Sequence, residues 1–79
     1  MNTVHIYLEP EAAAGEFRVH METETPGFET FLADIDGAGK QPVTSGFLWK
    51  LRKGRNRLEV WSRNSTGREG PSSAVVLER

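Results

Sequence analysis

The segment Phe47-Leu48-Trp49-Lys50-Leu51-Arg52-Lys53-Gly54-Arg55-Asn56-Arg57-Leu58-Glu59-Val60-Trp61 decides the fold. Phe47, Trp49 and Leu51 alternate with Leu48, Lys50 and Arg52. After the turn Lys53-Gly54-Arg55-Asn56, Leu58 and Val60 alternate with Glu59 and Trp61. Alternation at period two marks a half-buried strand. Leu51 and Leu58 flank a tight turn, in which Gly54 takes a positive φ at no steric cost and Asn56 satisfies turn backbone groups through its side chain. This parity places Trp49 in the core and Trp61 on the outside.

The same pattern extends in both directions. Towards the C-terminus, Asn64-Ser65-Thr66-Gly67 is a second turn, and the last strand covers about Ser73 to Glu78 with Val75 and Leu77 inward and Ala74 and Val76 outward. Towards the N-terminus, residues 38 to 46 form a polar link with a short edge strand at Lys40 to Val43, where Pro42 costs no ladder bond. Phe28 to Ile35 is a strand with Phe31, Ala33 and Ile35 inward, ended by Asp36-Gly37 and preceded by the turn Pro26-Gly27. Phe17, Val19 and Met21 alternate with Arg18, His20 and Glu22, and Thr23 and Thr25 extend that strand. Val4, Ile6 and Leu8 alternate with His5, Tyr7 and Glu9 up to Pro10. The alanine-rich Glu11 to Gly15 is too short for a stable helix alone and reads as a loop. Six or seven short strands with regular turn signals imply a sandwich or barrel rather than βαβ units.

Composition narrows the classes. A chain of 79 residues is one domain with a modest core. A formal net charge of −1 favours neither nucleic acid nor an acidic membrane surface as a partner. The absence of cysteine removes disulfides, thiolate zinc sites and cysteine nucleophiles together. No apolar run is long enough to span a bilayer, so no membrane insertion is expected.

The second half carries a resemblance. Phe47-x-Trp49-x-Leu51-x-x-Gly54-x-Asn56-x-Leu58-x-Val60, followed by Asn64-x-x-Gly67-x-x-Gly70-Pro71-x-Ser73, resembles the last three strands of the fibronectin type III-like and immunoglobulin-like modules of bacterial multidomain proteins. Phe31-x-Ala33-x-Ile35-Asp36-Gly37 is similar to their third strand and its turn. The similarity covers roughly residues 28 to 78. Leu58 sits near the place of the tyrosine that animal modules carry, and Lys40 stands where an aromatic often follows the third strand's turn. The resemblance implies an all-β, two-sheet antiparallel sandwich, residues 1–79 as a single domain excised from a larger chain, and an extracellular or periplasmic location.

One surface invites a binding role. Parity puts Trp61 outward with Glu59 and Arg63, Leu32 outward on the neighbouring third strand, and Val76 outward on the last. Leu32, Trp61 and Val76 are expected to form an exposed apolar patch, and such patches mark interfaces. The patch, with Arg63 beside it, is read as a docking surface for an adjoining domain or protein partner. The alternatives are a platform on which Trp61 stacks a sugar ring of a polysaccharide, and a tryptophan lying flat under the Arg63 stem.

Other groups read as structural. His5 and His20 fall on outward positions where a hairpin could oppose them near Glu22, yet no motif fixes a metal site. Lys50, Arg52, Lys53, Arg55 and Arg57 are balanced by acidic residues elsewhere and lack interleaved aromatics, so nucleic acid is not the expected partner. Asp34 and Asp36 share a face, but Asp36 belongs to a turn and no nucleophile and base accompany them. Asn64-Ser65-Thr66 fits a glycosylation acceptor that matters only in a eukaryotic secretory pathway. No cofactor is implied. The expectation is a noncatalytic accessory module that spaces or docks neighbouring domains of an exported bacterial protein, with a carbohydrate-binding module using Trp61 as the alternative.

Overall fold

In the computed structural model, which describes residues 2–79, the chain is all-β and forms two antiparallel sheets. Met1 lies outside the described residues. The strands are β1 (Val4–Pro10), β2 (Glu16–Thr23), β3 (Phe28–Ile35), β4 (Gln41–Val43), β5 (Gly46–Lys50), β6 (Arg55–Asn64) and β7 (Ser73–Glu78). One sheet has the order β1-β2-β5 and the other β4-β3-β6-β7.

Side-chain parity builds the core. Val4, Val19, Met21, Trp49 and Leu51 come from the first sheet and the segment after it, and Phe31, Ala33, Leu58 and Val60 come from the second; all are buried in one cluster. Burying such side chains stabilises by roughly 1.5–3 kcal/mol each before chain entropy is counted. Ile6, Leu8, Phe17, Phe47, Val75 and Leu77 pack around it, half-buried. Ile35 has inward parity but stands at the end of β3, where the layer gives out, and is 38% exposed.

Turn chemistry closes the pattern. Gly54 sits at φ 96°, a conformation other residues avoid. The buried Asn56 Oδ1 accepts from the Arg52 N–H at 2.7 Å, and its Nδ2 donates to the carbonyls of Arg52 (2.8 Å) and Gly54 (3.0 Å). Thr25 lies just past β2, and its Oγ1 donates to Ser62 Oγ (2.7 Å) inside the sandwich.

The two ends of the chain lie at opposite poles. Ser62, near the end of β6, donates to the Asn2 carbonyl. Arg79 exchanges backbone hydrogen bonds with Gly54, just before β6 begins. At about 3.4 Å per strand residue, roughly 27 Å of β6 separates the two contacts. The molecule measures 38 × 22 × 18 Å, and its long axis accommodates that span.

Candidate functional site

The outer face of the four-stranded sheet carries the expected docking residues, and the ladder fixes their places. Leu32 on β3 lies opposite Trp61 on β6 on one side and Pro42 on β4 on the other. The next row along the strands is Asp34, Glu59 and Ala74, and Arg57 and Val76 pair in the row beyond. The structure brings Leu32 and Trp61 together. It sets Val76 two rows away, on the order of 13 Å along the strand, behind a row that carries two carboxylates.

Exposure also differs from the expectation. Leu32 points away from the core and is absent from its cluster, yet it is only 4% exposed. Its flanking neighbours are large, and a flat ring beside a strand screens the residue next to it. Trp61 is itself half-buried, whereas Val76 is 41% exposed. The expected open patch is therefore a strip in which a buried Leu32 lies beside a half-buried Trp61, edged by an exposed Pro42, with a separate exposed valine.

A charged side chain provides the cover. Lys40 Nζ sits 4.2 Å from the centroid of the Trp61 ring, in cation–π range. The same ammonium is paired with Glu69. Glu69 is placed by the turn after β6: Asn64 Oδ1 accepts from the backbone N–H groups of Thr66 (3.1 Å) and Arg68 (2.9 Å), and Glu69 then bridges back to Arg63. The Arg63 guanidinium turns to Glu29 on β3, at 3.2 Å. Lys40 rather than Arg63 thus takes the ring face. Lys40, Pro42 and Glu69 were not among the residues that sequence parity singled out for this site.

The row beside the strip is electrostatically uneven. Hydrogen bonding from Ser72, and then from Arg57, holds the Glu59 carboxyl below its ordinary value. Arg57 Nη1 reaches Glu59 Oε1 at 2.9 Å. Asp34 directly opposes Glu59, and its Oδ1 is buried with no hydrogen-bond partner among the described residues. Like charges directly opposed across a ladder destabilise it. Asp36 is a turn residue, with φ 56°: its Oδ1 accepts the Arg57 N–H at 2.8 Å and its Oδ2 pairs with Arg52. Two members of the basic run, Arg52 and Arg57, are therefore engaged with acids.

On the opposite sheet the histidines do not face each other. His5 pairs with Glu22, and His20 pairs with Tyr7, with ring centroids 6.2 Å apart. His20 Nε2 lies 3.1 Å from Glu22 Oε2. Among the described residues no group of three or more metal-ligating side chains comes together.

Comparison of the chain with protein-family models, with curated proteins and with solved structures finds no match.

Proposed function

We propose that the chain is a noncatalytic accessory module of the immunoglobulin-like, fibronectin type III-like kind, which spaces or docks neighbouring domains or a protein partner in a larger, exported bacterial protein. The carrying observation is that the chain enters at one pole of a 38 Å body and leaves at the other. A bead of that geometry extends a chain rather than folding it back. The separation of the strands supports the fold assignment: β1, β2 and β5 lie in one sheet and β3, β6 and β7 in the other, as the corresponding strands segregate in immunoglobulin-like sandwiches. Leu32, Trp61 and Arg63 remain the proposed docking face, with Lys40 and Glu69 added as its rim and Val76 as a separate apolar contact two rows along the same sheet. Exported localisation rests on the sequence resemblance alone.

The sugar-platform reading is weaker on this geometry. A sugar ring stacking on Trp61 must first displace an ammonium that is also paired with Glu69. Two copies joined head to tail through a short linker test the spacer reading by small-angle scattering. The expected maximum dimension is roughly double the 38 Å of one copy. A compact, side-by-side particle would contradict it.

A further inference from the structure

β1 and β7 are the outer strands of different sheets, and each is paired on one side only. Both start at the same pole, where Ser73 Oγ donates to the Val4 carbonyl at 2.7 Å. They run in the same direction, because Arg79, following β7, lies against Gly15 in the loop that follows β1. Between them is a cleft of about 410 Å³ lined by residues 4–8 and 73–75. Half-buried Ile6, Leu8 and Val75 give it apolar walls.

The other strand edges are blunted more strongly than this side. β4 is only three residues long and contains Pro42, with Lys40 just before it, and β5 ends on Lys50. Short length, proline and lysine are the usual protections of an edge. β1 also ends on a proline, Pro10, and β7 on Glu78, but residues 4–8 and 73–77 carry no proline and no Asp, Glu, Lys or Arg. Among the described residues no strand pairs with the free side of β1.

We propose that this edge is a strand-acceptor site: an extended, uncharged peptide segment of about five residues pairs antiparallel with the free side of β1 and places alternate apolar side chains in the cleft over Ile6, Leu8 and Val75. The occupant follows from three features. Unpaired strand backbone is satisfied by another strand, the alternating walls fit a period of two, and the lining residues carry no Asp, Glu, Lys or Arg to pair with a charged guest. A second copy meeting this edge fits poorly. A five-residue edge about 17 Å long and ~10 Å deep covers on the order of 200 Å² per partner, against about 800 Å² in a stable interface. This site lies apart from the Leu32–Trp61 face and goes beyond the reading above, adding a second docking surface with a stated partner chemistry. It is separable from the spacer half, since the end-to-end dimension of a tandem is unaffected by the outcome here.

The test is a nuclear magnetic resonance titration of the chain with a blocked peptide of alternating threonine and valine bearing a lysine at each end. The expected result is a saturable shift confined to residues 4–8 and 73–77, with new protection of those β1 amides that do not bond to β2. Ala74→Lys and Tyr7→Lys, both at exposed positions, are each expected to abolish the shift while leaving Trp49 emission native. Absence of a saturable shift up to millimolar peptide overturns the proposal, as does a shift that survives both lysine variants. Shifts at the same residues that grow with protein concentration alone also overturn it, because a second copy then fills the edge.

Discussion

Two tryptophans, on strands of facing sheets, show what parity decides and what it leaves to the rest of the chain. Trp49 is 2% exposed, lies in the apolar seam between the sheets, and its Nε1 is buried with no hydrogen-bond partner among the described residues. Trp61 points the other way, beside Leu32 and beneath Lys40. Both are shielded, but by different physics. Trp49 is enclosed by tight packing on every side. Trp61 is covered by one flexible cation that an acid holds in place. The outer strip is therefore a shallow second layer that a partner can open, and the core is not.

The largest expected contrast comes from two leucines that are both nearly inaccessible, Leu58 at 0% and Leu32 at 4%. Leu58→Ala leaves a cavity between the sheets and should cost about 3–5 kcal/mol. Leu32→Ala leaves a dent that water and Trp61 can fill, so about 2 kcal/mol is expected, close to the transfer term alone. Urea denaturation of the two variants checks this. Equal losses would mean that the outer strip is packed as firmly as the core.

A smaller effect of opposite sign is expected next to the strip. Asp34→Asn removes one of two opposed carboxylates and should stabilise the fold by up to about 1 kcal/mol. Thermal melting at neutral pH measures it, and a loss of stability would show that the buried Oδ1 has a partner that the ladder does not reveal.

The acid limb of stability distinguishes Glu59 from its neighbour. The Glu59 carboxyl is held below its ordinary value of 4.5, first by Ser72 and then by Arg57. Its contribution is therefore fully present above pH 4.5 and fades as pH falls through the lower folded value. Glu59→Gln should flatten that part of a stability–pH curve. An unchanged acid limb would remove Glu59 as a contributor.

Much of this was legible in the sequence, for a local reason. A strand declares itself by alternation within a few residues, so Ser73–Glu78 and Phe28–Ile35 are found where the pattern placed them. The turn at Gly54 and Asn56 is equally local. The adjacency of Leu32 and Trp61 followed from parity plus the expected neighbours of β3. What parity could not supply is register and cover. Val76 has the right face but the wrong row, because the β6–β7 register pairs it with Arg57. His20 meets Tyr7 instead of His5, because the loop after β1 sets the hairpin two positions away from the arrangement that would oppose the histidines. The lid on Trp61 joins Lys40 to Glu69, which are distant in sequence and brought together by a loop whose path no periodicity encodes. The cleft between β1 and β7 depends on which sheet each strand joins, and that is a property of the whole chain.

The most direct test of the covered-strip account uses acrylamide quenching in a Trp49→Phe background, where Trp61 is the sole tryptophan. Lys40→Ala should cost only about 0.5–1 kcal/mol, the size of one exposed cation–π contact. The account predicts weak quenching of Trp61 with Lys40 present and a clear increase in Lys40→Ala, at every protein concentration. Strong quenching that is the same with and without Lys40 would contradict it, and would return Trp61 to the open platform that a sugar ring requires.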